Sequence, residues 1–230
     1  MKLLCTVCLL SMTAQYAFAK QRGNPPPGGQ GNAQPPVNAT AQVNPFGQIS
    51  QNPWFANPAI RANLNLTNDQ FTRMNQTYAQ YYGTYNKAIT PFNNSTNLTD
   101  AQRQSIIDAQ NRFYLDFGNS TASFISPEQQ ARLQQLSRQY RGYGVFADPS
   151  ITERLRLDQE QRDRLTRYQQ VYNTQLANYY RSLQTTPDPE GTRFNTIRQE
   201  MFNQINSAFN ENQRVIWKEL IGDPYNFPVR

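Results

Sequence analysis

A five-residue unit recurs along the chain and constrains its fold more than any other feature. Each copy has an apolar residue, then Thr, Ser, Asp or Asn, then two variable residues and a glutamine. The copies are "LTNDQ" from Leu66, "LTDAQ" from Leu98, "ISPEQ" from Ile125, "LDQEQ" from Leu157 and "FNENQ" from Phe209. A small polar residue with Gln three positions later is the signature of a capping box at the start of a helix.

The unit therefore predicts five helix starts. In each, the side chain of the small polar residue accepts from the glutamine's backbone N–H, while the glutamine side chain reaches back to the cap. The predicted pairs are Thr67 with Gln70, Thr99 with Gln102, Ser126 with Gln129, Asp158 with Gln161, and Asn210 with Gln213. Capping alone accounts for the motif, and a direct part in binding is the alternative.

The residues that follow the units repeat with a helical period. Phe71, Met74, Tyr78, Tyr81 and Tyr85 are spaced by three or four positions, as on one face of an amphipathic helix. Comparable stripes begin at Ile106, Leu133, Leu165, Phe194 and Trp217. No comparable run alternates with period two, so the pattern predicts an all-α fold without a sheet.

The spacing also predicts a duplication. An offset of 91 aligns Leu64, Leu66, Gln70, Met74 and Tyr81 with Leu155, Leu157, Gln161, Leu165 and Tyr172. An offset of 84 aligns Ile125, Gln129, Leu133 and Leu136 with Phe209, Gln213, Trp217 and Leu220. We therefore expect two tandem helical repeats, over 58–147 and 148–230, with about six helices in total. Gly142, Gly144 and Pro149 separate the two halves.

The N-terminal part has a different composition. Residues 1–19 combine Lys2, a short apolar run and a small-x-small site at Ala17 to Ala19, which predicts a secretory signal peptide. Residues 20–57 are dense in Pro, Gly, Gln and Asn, which predicts a disordered tether, and a Pro-rich ligand is its alternative. Trp54 and Phe55 mark where the tether would dock onto the folded part. We expect a periplasmic or extracellular protein without a membrane span in its mature chain.

The composition excludes several kinds of chemistry. The chain has no histidine, and its two cysteines, Cys5 and Cys8, lie in the predicted signal peptide. Catalysis by Ser-His-Asp or Cys-His groups and His- or Cys-ligated metal sites are therefore excluded. Enzymes that use carboxylates alone stay open, but no paired-acid pattern is present. We expect no enzyme activity, no cofactor and no nucleic-acid partner, although the mature net charge of +5 (21 basic against 16 acidic residues) favours acidic partners.

With these features the chain resembles the LTXXQ-motif envelope stress proteins, the Spy/CpxP-like family, as a divergent two-copy member. "LTNDQ" and "LTDAQ" match the motif literally, "ISPEQ" matches less closely, and "LDQEQ" and "FNENQ" keep only the apolar residue and the glutamine. The resemblance covers roughly residues 64–225. It implies long bent helices and ATP-independent binding of unfolded proteins on a concave, basic, partly apolar surface. The family members are usually dimers, so two copies in one chain predict a pseudo-dimeric monomer, with a homodimer as the alternative.

Three functions follow as hypotheses. The first is a holdase-like binding protein for unfolded or envelope proteins, and the second is a structural or adhesive envelope component. The third is metal protection through oxygen ligands alone, for which the acidic residues are too sparse. The candidate client-binding residues are Arg73, Tyr78, Tyr82, Arg138, Tyr140, Arg164, Arg167, Tyr179 and Tyr180. In "YAQYYGTY" the adjacent Tyr81 and Tyr82 cannot both face one narrow core, so one ring should be exposed or occupy a second interface.

Overall fold

The computed structural model describes residues 49–93, 95 and 97–227. These residues form eight α-helices and three short 3-10 helices, and they contain no β-strand. The all-α prediction is therefore confirmed for the part of the chain that the structure describes. The α-helices are α1 (Pro58–Asn63), α2 (Asn68–Ile89), α3 (Asp100–Thr121), α4 (Pro127–Arg141), α5 (Pro149–Leu155), α6 (Gln159–Ser182), α7 (Thr192–Ala208) and α8 (Glu211–Ile221).

The helix count differs from the predicted six because α1 and α5 are helices of only six and seven residues. Segments this short show no 3.6-residue period. Pro149, predicted to lie between the halves, is the first residue of α5, where its missing N–H costs nothing. Asp148 caps this helix by accepting from the backbone N–H of Ser150, and Asn57 caps α1 in the same way through Ala59.

Residues 49–57, predicted as the last part of the tether, pack on the helices. Ile49, Trp54 and Phe55 are buried, and the 3-10 helix Trp54–Ala56 packs against α1. The Phe55 ring stacks on the ring of Phe117 in α3 with centroids 5.6 Å apart. The folded part therefore includes residues 49–57. The signal peptide and the rest of the predicted tether lie outside the described residues.

Two apolar cores organise the helices. In the first, α2 and α3 form an antiparallel hairpin, and Tyr78 packs edge-to-face on Phe113. In the second, α6 and α7 form the corresponding hairpin, and Trp217 of α8 is buried against Phe146 and Phe209. Contacts between α4 and α8 join the two halves. Each half thus places a pair of long helices beside two shorter ones.

The two halves share more positions than the sequence stripes indicated. Asn57-Pro58 and Asp148-Pro149 begin α1 and α5, and they are 91 residues apart. Asn65 and Arg156, also 91 residues apart, both have a left-handed backbone with φ of 50°. The matching order of caps, helices and turns supports the duplication, which stays an interpretation.

Candidate functional site

All five units form capping boxes in the structure. In the first, the Thr67 backbone N–H donates to Oε1 of Gln70 (3.0 Å), and the Gln70 N–H donates to Oγ1 of Thr67 (3.2 Å). The apolar residue that opens each unit is buried at Leu66, Ile125, Leu157 and Phe209, and half-buried at Leu98. The unit therefore fixes a helix start and anchors the incoming chain in a core.

Four of the five glutamines also pair with each other. Nε2 of Gln70 donates to Oε1 of Gln129 (3.0 Å), and Nε2 of Gln129 donates back to Oε1 of Gln70 (3.2 Å). Gln161 and Gln213 do the same in the second half, at 2.7 and 2.9 Å. These two amide pairs join the start of α2 to that of α4, and the start of α6 to that of α8.

Each paired glutamine uses its full hydrogen-bonding capacity. Its oxygen accepts from the cap N–H and from the partner amide, while its second N–H donates to a backbone carbonyl. That carbonyl belongs to Phe124 for Gln70, Asn65 for Gln129, Ala208 for Gln161 and Leu155 for Gln213. Among the described residues, Gln102 of α3 pairs with no other glutamine. The sequence does contain one indication of the pairs. Capping uses only the oxygen of a glutamine side chain, so its two N–H groups still need acceptors.

The candidate binding residues on α2 lie partly in the core. Tyr78 is buried and donates its hydroxyl to the Ser50 carbonyl (2.7 Å), and Tyr82 is half-buried and stacks on Tyr78. Tyr81 is also half-buried, and its hydroxyl hydrogen-bonds that of Ser120 on α3. Neither ring of the adjacent pair is fully exposed, because one contacts α3 and the other follows the aromatic stripe.

Arg73 is the exposed candidate on this helix, and its guanidinium lies 4.3 Å from the centre of the Phe124 ring. That contact places it over the turn between α3 and α4.

The two candidates on α4 are both half-buried and hold other parts of the fold. Arg138 is half-buried and donates to the Leu220 carbonyl at the end of α8 (2.9 Å), and burial lowers the pKa of its guanidinium. Tyr140 is half-buried and stacks on Trp54 with centroids 5.6 Å apart. Both side chains therefore stabilise the fold at this place rather than standing free in solvent.

The candidates on α6 are divided between surface and core. Arg164 pairs with Glu160 at 2.6 Å, and Arg167 is exposed. Tyr179 is buried with its hydroxyl on the Asp188 carboxylate (3.2 Å), whereas Tyr180 is 39% exposed. The structure therefore does not collect the nine candidates on one surface. Arg73, Arg167 and Tyr180 are the exposed members, and they lie on two helices.

A cleft between the halves is the site that the sequence did not predict. It encloses about 270 Å³ between α3 and the second half, and we call it the interhelix cleft. Its volume lies just below the roughly 300–1,000 Å³ of typical small-molecule pockets. The cleft is lined by Ile107, Gln110, Tyr143, Gly144, Phe146, Ala147, Thr152, Leu157, Arg162, Leu165, Thr166 and Gln169. Apolar groups alternate with amides and hydroxyls, Arg162 is the one charged side chain in this lining, and no acid is present.

An arginine whose side chain is only 9% exposed holds one wall of the interhelix cleft. Arg141, at the end of α4, donates to Oδ1 of Asn111 on α3 (3.1 Å) and to the Gly144 carbonyl (3.3 Å). Its guanidinium lies over the Tyr114 ring at 4.4 Å and pairs with Asp148 at 3.8 Å. Burial lowers the pKa of Arg141 and raises that of Tyr143 in the wall. These contacts fix the 3-10 helix Gly142–Ala147 against α3, so the cleft is preformed.

Two further findings limit the chemistry of the described residues. They contain no group of three or more Asp, Glu, Cys or His side chains that could hold a metal ion. No helix in this part of the chain has both the length and the apolar character needed to cross a membrane.

The comparisons with known proteins give no relative. No family model matches the chain, no curated protein is similar to it, and no solved structure matches it. The resemblance to the LTXXQ-motif proteins therefore stays a hypothesis that rests on the five units.

Proposed function

We propose that this protein is a non-enzymatic binding protein of the cell envelope that holds unfolded polypeptide segments without ATP. The interhelix cleft carries the proposal. Its lining offers apolar contact together with uncharged donors and acceptors, which suits segments of many sequences better than one defined ligand. Because the cleft is small and preformed, it would hold one or two side chains of a bound segment rather than a complete cofactor.

The small net charge of the molecule agrees with a weak attraction of many different polypeptide segments. Residues 49–227 hold 18 of the 22 basic and all 16 acidic side chains, so this part carries a net charge of +2. Arg162 at the cleft is exposed, and its Nε donates to the Leu157 carbonyl (3.0 Å), which orients the guanidinium. One oriented cation beside apolar groups favours acidic or neutral segments without selecting a single sequence.

Suppression of aggregation tests the proposal with a matched pair of variants. Thr166 lines the interhelix cleft and Thr174 lies eight residues further along α6; both are exposed and donate their hydroxyl to the carbonyl four residues earlier. We expect Thr166→Trp to fill the cleft and to raise the concentration needed for half-suppression of denatured α-lactalbumin about fivefold, equivalent to about 1 kcal/mol. Thr174→Trp adds the same exposed ring elsewhere and should behave as the unaltered protein.

Two results would contradict the proposal. Equal activity of Thr166→Trp and the unaltered protein would show that the cleft is not the binding site. No suppression by the unaltered protein at several-fold molar excess would leave the structural or adhesive envelope component as the function.

A further inference from the structure

The chain after α8 returns from the second half to the first core. Residues 222–227, which we call the C-terminal strap, have no regular secondary structure. Phe227 at their end is only 3% exposed and belongs to the first core, although α8 belongs to the second. Gly222 starts the strap with φ of 64°, a left-handed conformation that suits glycine. The strap thus lies across the first half as an extended segment does on a binding protein.

A single buried amide recognises the main chain around the strap. Gln139 of α4 is fully buried, and its Nε2 donates to the carbonyls of Ile221 (2.6 Å) and Asp223 (2.8 Å). Its Oε1 accepts from the backbone N–H of Tyr225 (2.8 Å). Arg132 of α4 adds a longer contact to the Asp223 carbonyl at 3.4 Å. All these contacts are made to backbone atoms, so they do not depend on the side chains that the segment carries.

An aromatic box recognises the side chain of Phe227. Its ring lies 6.1 Å from Trp54 and 5.6 Å from Tyr140, measured between centroids. The Arg198 guanidinium of α7 lies 4.8 Å from the centre of the same ring and also donates to the Gln139 carbonyl (2.7 Å). Tyr225 packs edge-to-face on Phe227 at 5.2 Å, so the strap presents an aromatic, any residue and a second aromatic.

We infer that the groove formed by Trp54, Gln139, Tyr140 and Arg198 is a binding site for extended polypeptide segments with an aromatic–any–aromatic sequence, occupied here by the chain's own strap. The groove combines main-chain hydrogen bonds with one side-chain pocket, which is how extended peptides are commonly recognised. It shares no residue with the lining of the interhelix cleft, so the inference does not rest on the proposed function.

The covalent link to α8 makes the strap a strong competitor of any free peptide for the groove. A segment linked to its site by a short flexible connection acts at an effective concentration of roughly millimolar. A free segment of equal affinity therefore binds well only when the strap is weakened. The strap consequently regulates access to the groove, and any change that loosens it should expose the site.

A labelled peptide tests this inference on the full chain. The probe is a fluorescein-labelled peptide of the sequence GDPYNF, residues 222–227, and its anisotropy reports binding. We expect Phe227→Ala to bind the probe at least about tenfold more tightly than the unaltered protein, because the strap has lost its anchor. A probe with Ala in place of its Phe should not bind.

Phe202→Ala is the matched control. Phe202 is another half-buried ring beside the Arg198 guanidinium, at 5.7 Å, but it lies on α7 outside the strap. This variant should bind the probe no better than the unaltered protein. The inference would be overturned if Phe227→Ala keeps its helical circular dichroism and binds the probe no more tightly than Phe202→Ala. The strap would then be a fixed part of the core.

A second variant keeps the test valid if Phe227→Ala loses its helical circular dichroism. Gly222→Ala leaves every ring in place, but its Cβ would collide with the Gln135 side chain, and its positive φ disfavours alanine. We expect this variant to bind the probe about threefold more tightly, since only the start of the strap is loosened. Unchanged binding by a folded Gly222→Ala variant would also overturn the inference.

Discussion

At the scale of single residues, the glutamine of the five-residue unit has several structural functions at once. In the two amide pairs it caps a helix, binds another glutamine and satisfies a backbone carbonyl. A glutamate could replace the capping function, because capping needs only an acceptor at this position. It could not donate to the partner glutamine or to the backbone carbonyl, because a carboxylate has no N–H.

This difference gives a prediction for Gln213, which is only 6% exposed and donates to Leu155 and Gln161. Gln213→Glu should lower the free energy of unfolding by about 1–3 kcal/mol, because it leaves buried acceptors facing each other. Urea denaturation followed by circular dichroism measures the change.

The control is Gln102→Glu, at a capping box without an amide partner. It should leave stability within about 0.5 kcal/mol of the unaltered protein, since a negative charge near a helix N-terminus is favourable. Equal losses in both variants would show that the amide pairs add nothing to capping.

These residues also show what the sequence could predict. The capping boxes join residues three positions apart, so their geometry is local and the spacing alone predicted it. The amide pairs join residues 59 and 52 positions apart, and no spacing rule places such residues side by side. The same limit applies to Tyr78 and Tyr179, which the sequence predicts as binding residues and which are both buried. The helical period places each tyrosine on one face of its helix, but it does not give the width of the core that this face meets.

At the scale of elements, the connections decide where the long helices begin and end. The sequence predicted the long helices from their period, but it missed α1 and α5, whose only signal was Asn-Pro and Asp-Pro 91 positions apart. The connection between α6 and α7 is also fixed by local hydrogen bonds. Asp188 accepts from the Tyr179 hydroxyl and from the backbone N–H of Phe194, both at 3.2 Å, and so fixes the first turn of α7.

This connection predicts a pH dependence. Partial desolvation alone would raise the pKa of Asp188, but hydrogen bonds from the backbone of Phe194 and Arg193 and from Tyr179 outweigh it, so its pKa lies below the usual value. The stabilisation is therefore present above the unfolded pKa of about 4 and is lost as pH falls through the folded pKa. Melting temperatures of the unaltered protein and Asp188→Asn should differ at pH 7 and converge as the pH falls below about 4.

Asp163→Asn serves as the control on α6, where the carboxylate accepts from the exposed Gln159 side chain. Its melting temperature should stay close to that of the unaltered protein from pH 7 to 3, within the small effect of exposed substitutions. A constant difference between Asp188→Asn and the unaltered protein over this range would contradict the role of the charge.

Tyr179, which donates its hydroxyl to Asp188, gives a pH dependence at high pH. Desolvation, followed by the hydrogen bond to Asp188 and its charge, raises the pKa of Tyr179 to about 12. Its contribution to stability is therefore complete below the unfolded value of about 10 and is lost as pH rises through 12.

At the scale of the whole molecule, two helical sets are joined within one chain. The α4–α8 contact, the interhelix cleft and the C-terminal strap all lie where residues of the two halves meet. The sequence predicted two sets of helices, but it did not predict these junctions, because they depend on side chains from both halves together.

Light scattering should show one chain per particle. A stable dimer usually buries about 800 Å² on each partner, and the large exposed apolar side chains of the described residues do not form one stripe. They are Leu115 on α3, Val171 and Tyr180 on α6, and Val215 on α8. Val171 and Tyr180 are nine positions apart, about half a turn from each other around the helix. An obligate dimer would contradict the interpretation of the chain as a pseudo-dimeric monomer.

The glutamine pairs have one more consequence for a molecule built in this way. Amide groups neither gain nor lose a proton in any medium in which proteins survive, and they carry no net charge for dissolved ions to screen. The two glutamine pairs themselves therefore keep their strength in acidic, alkaline, dilute or saline surroundings.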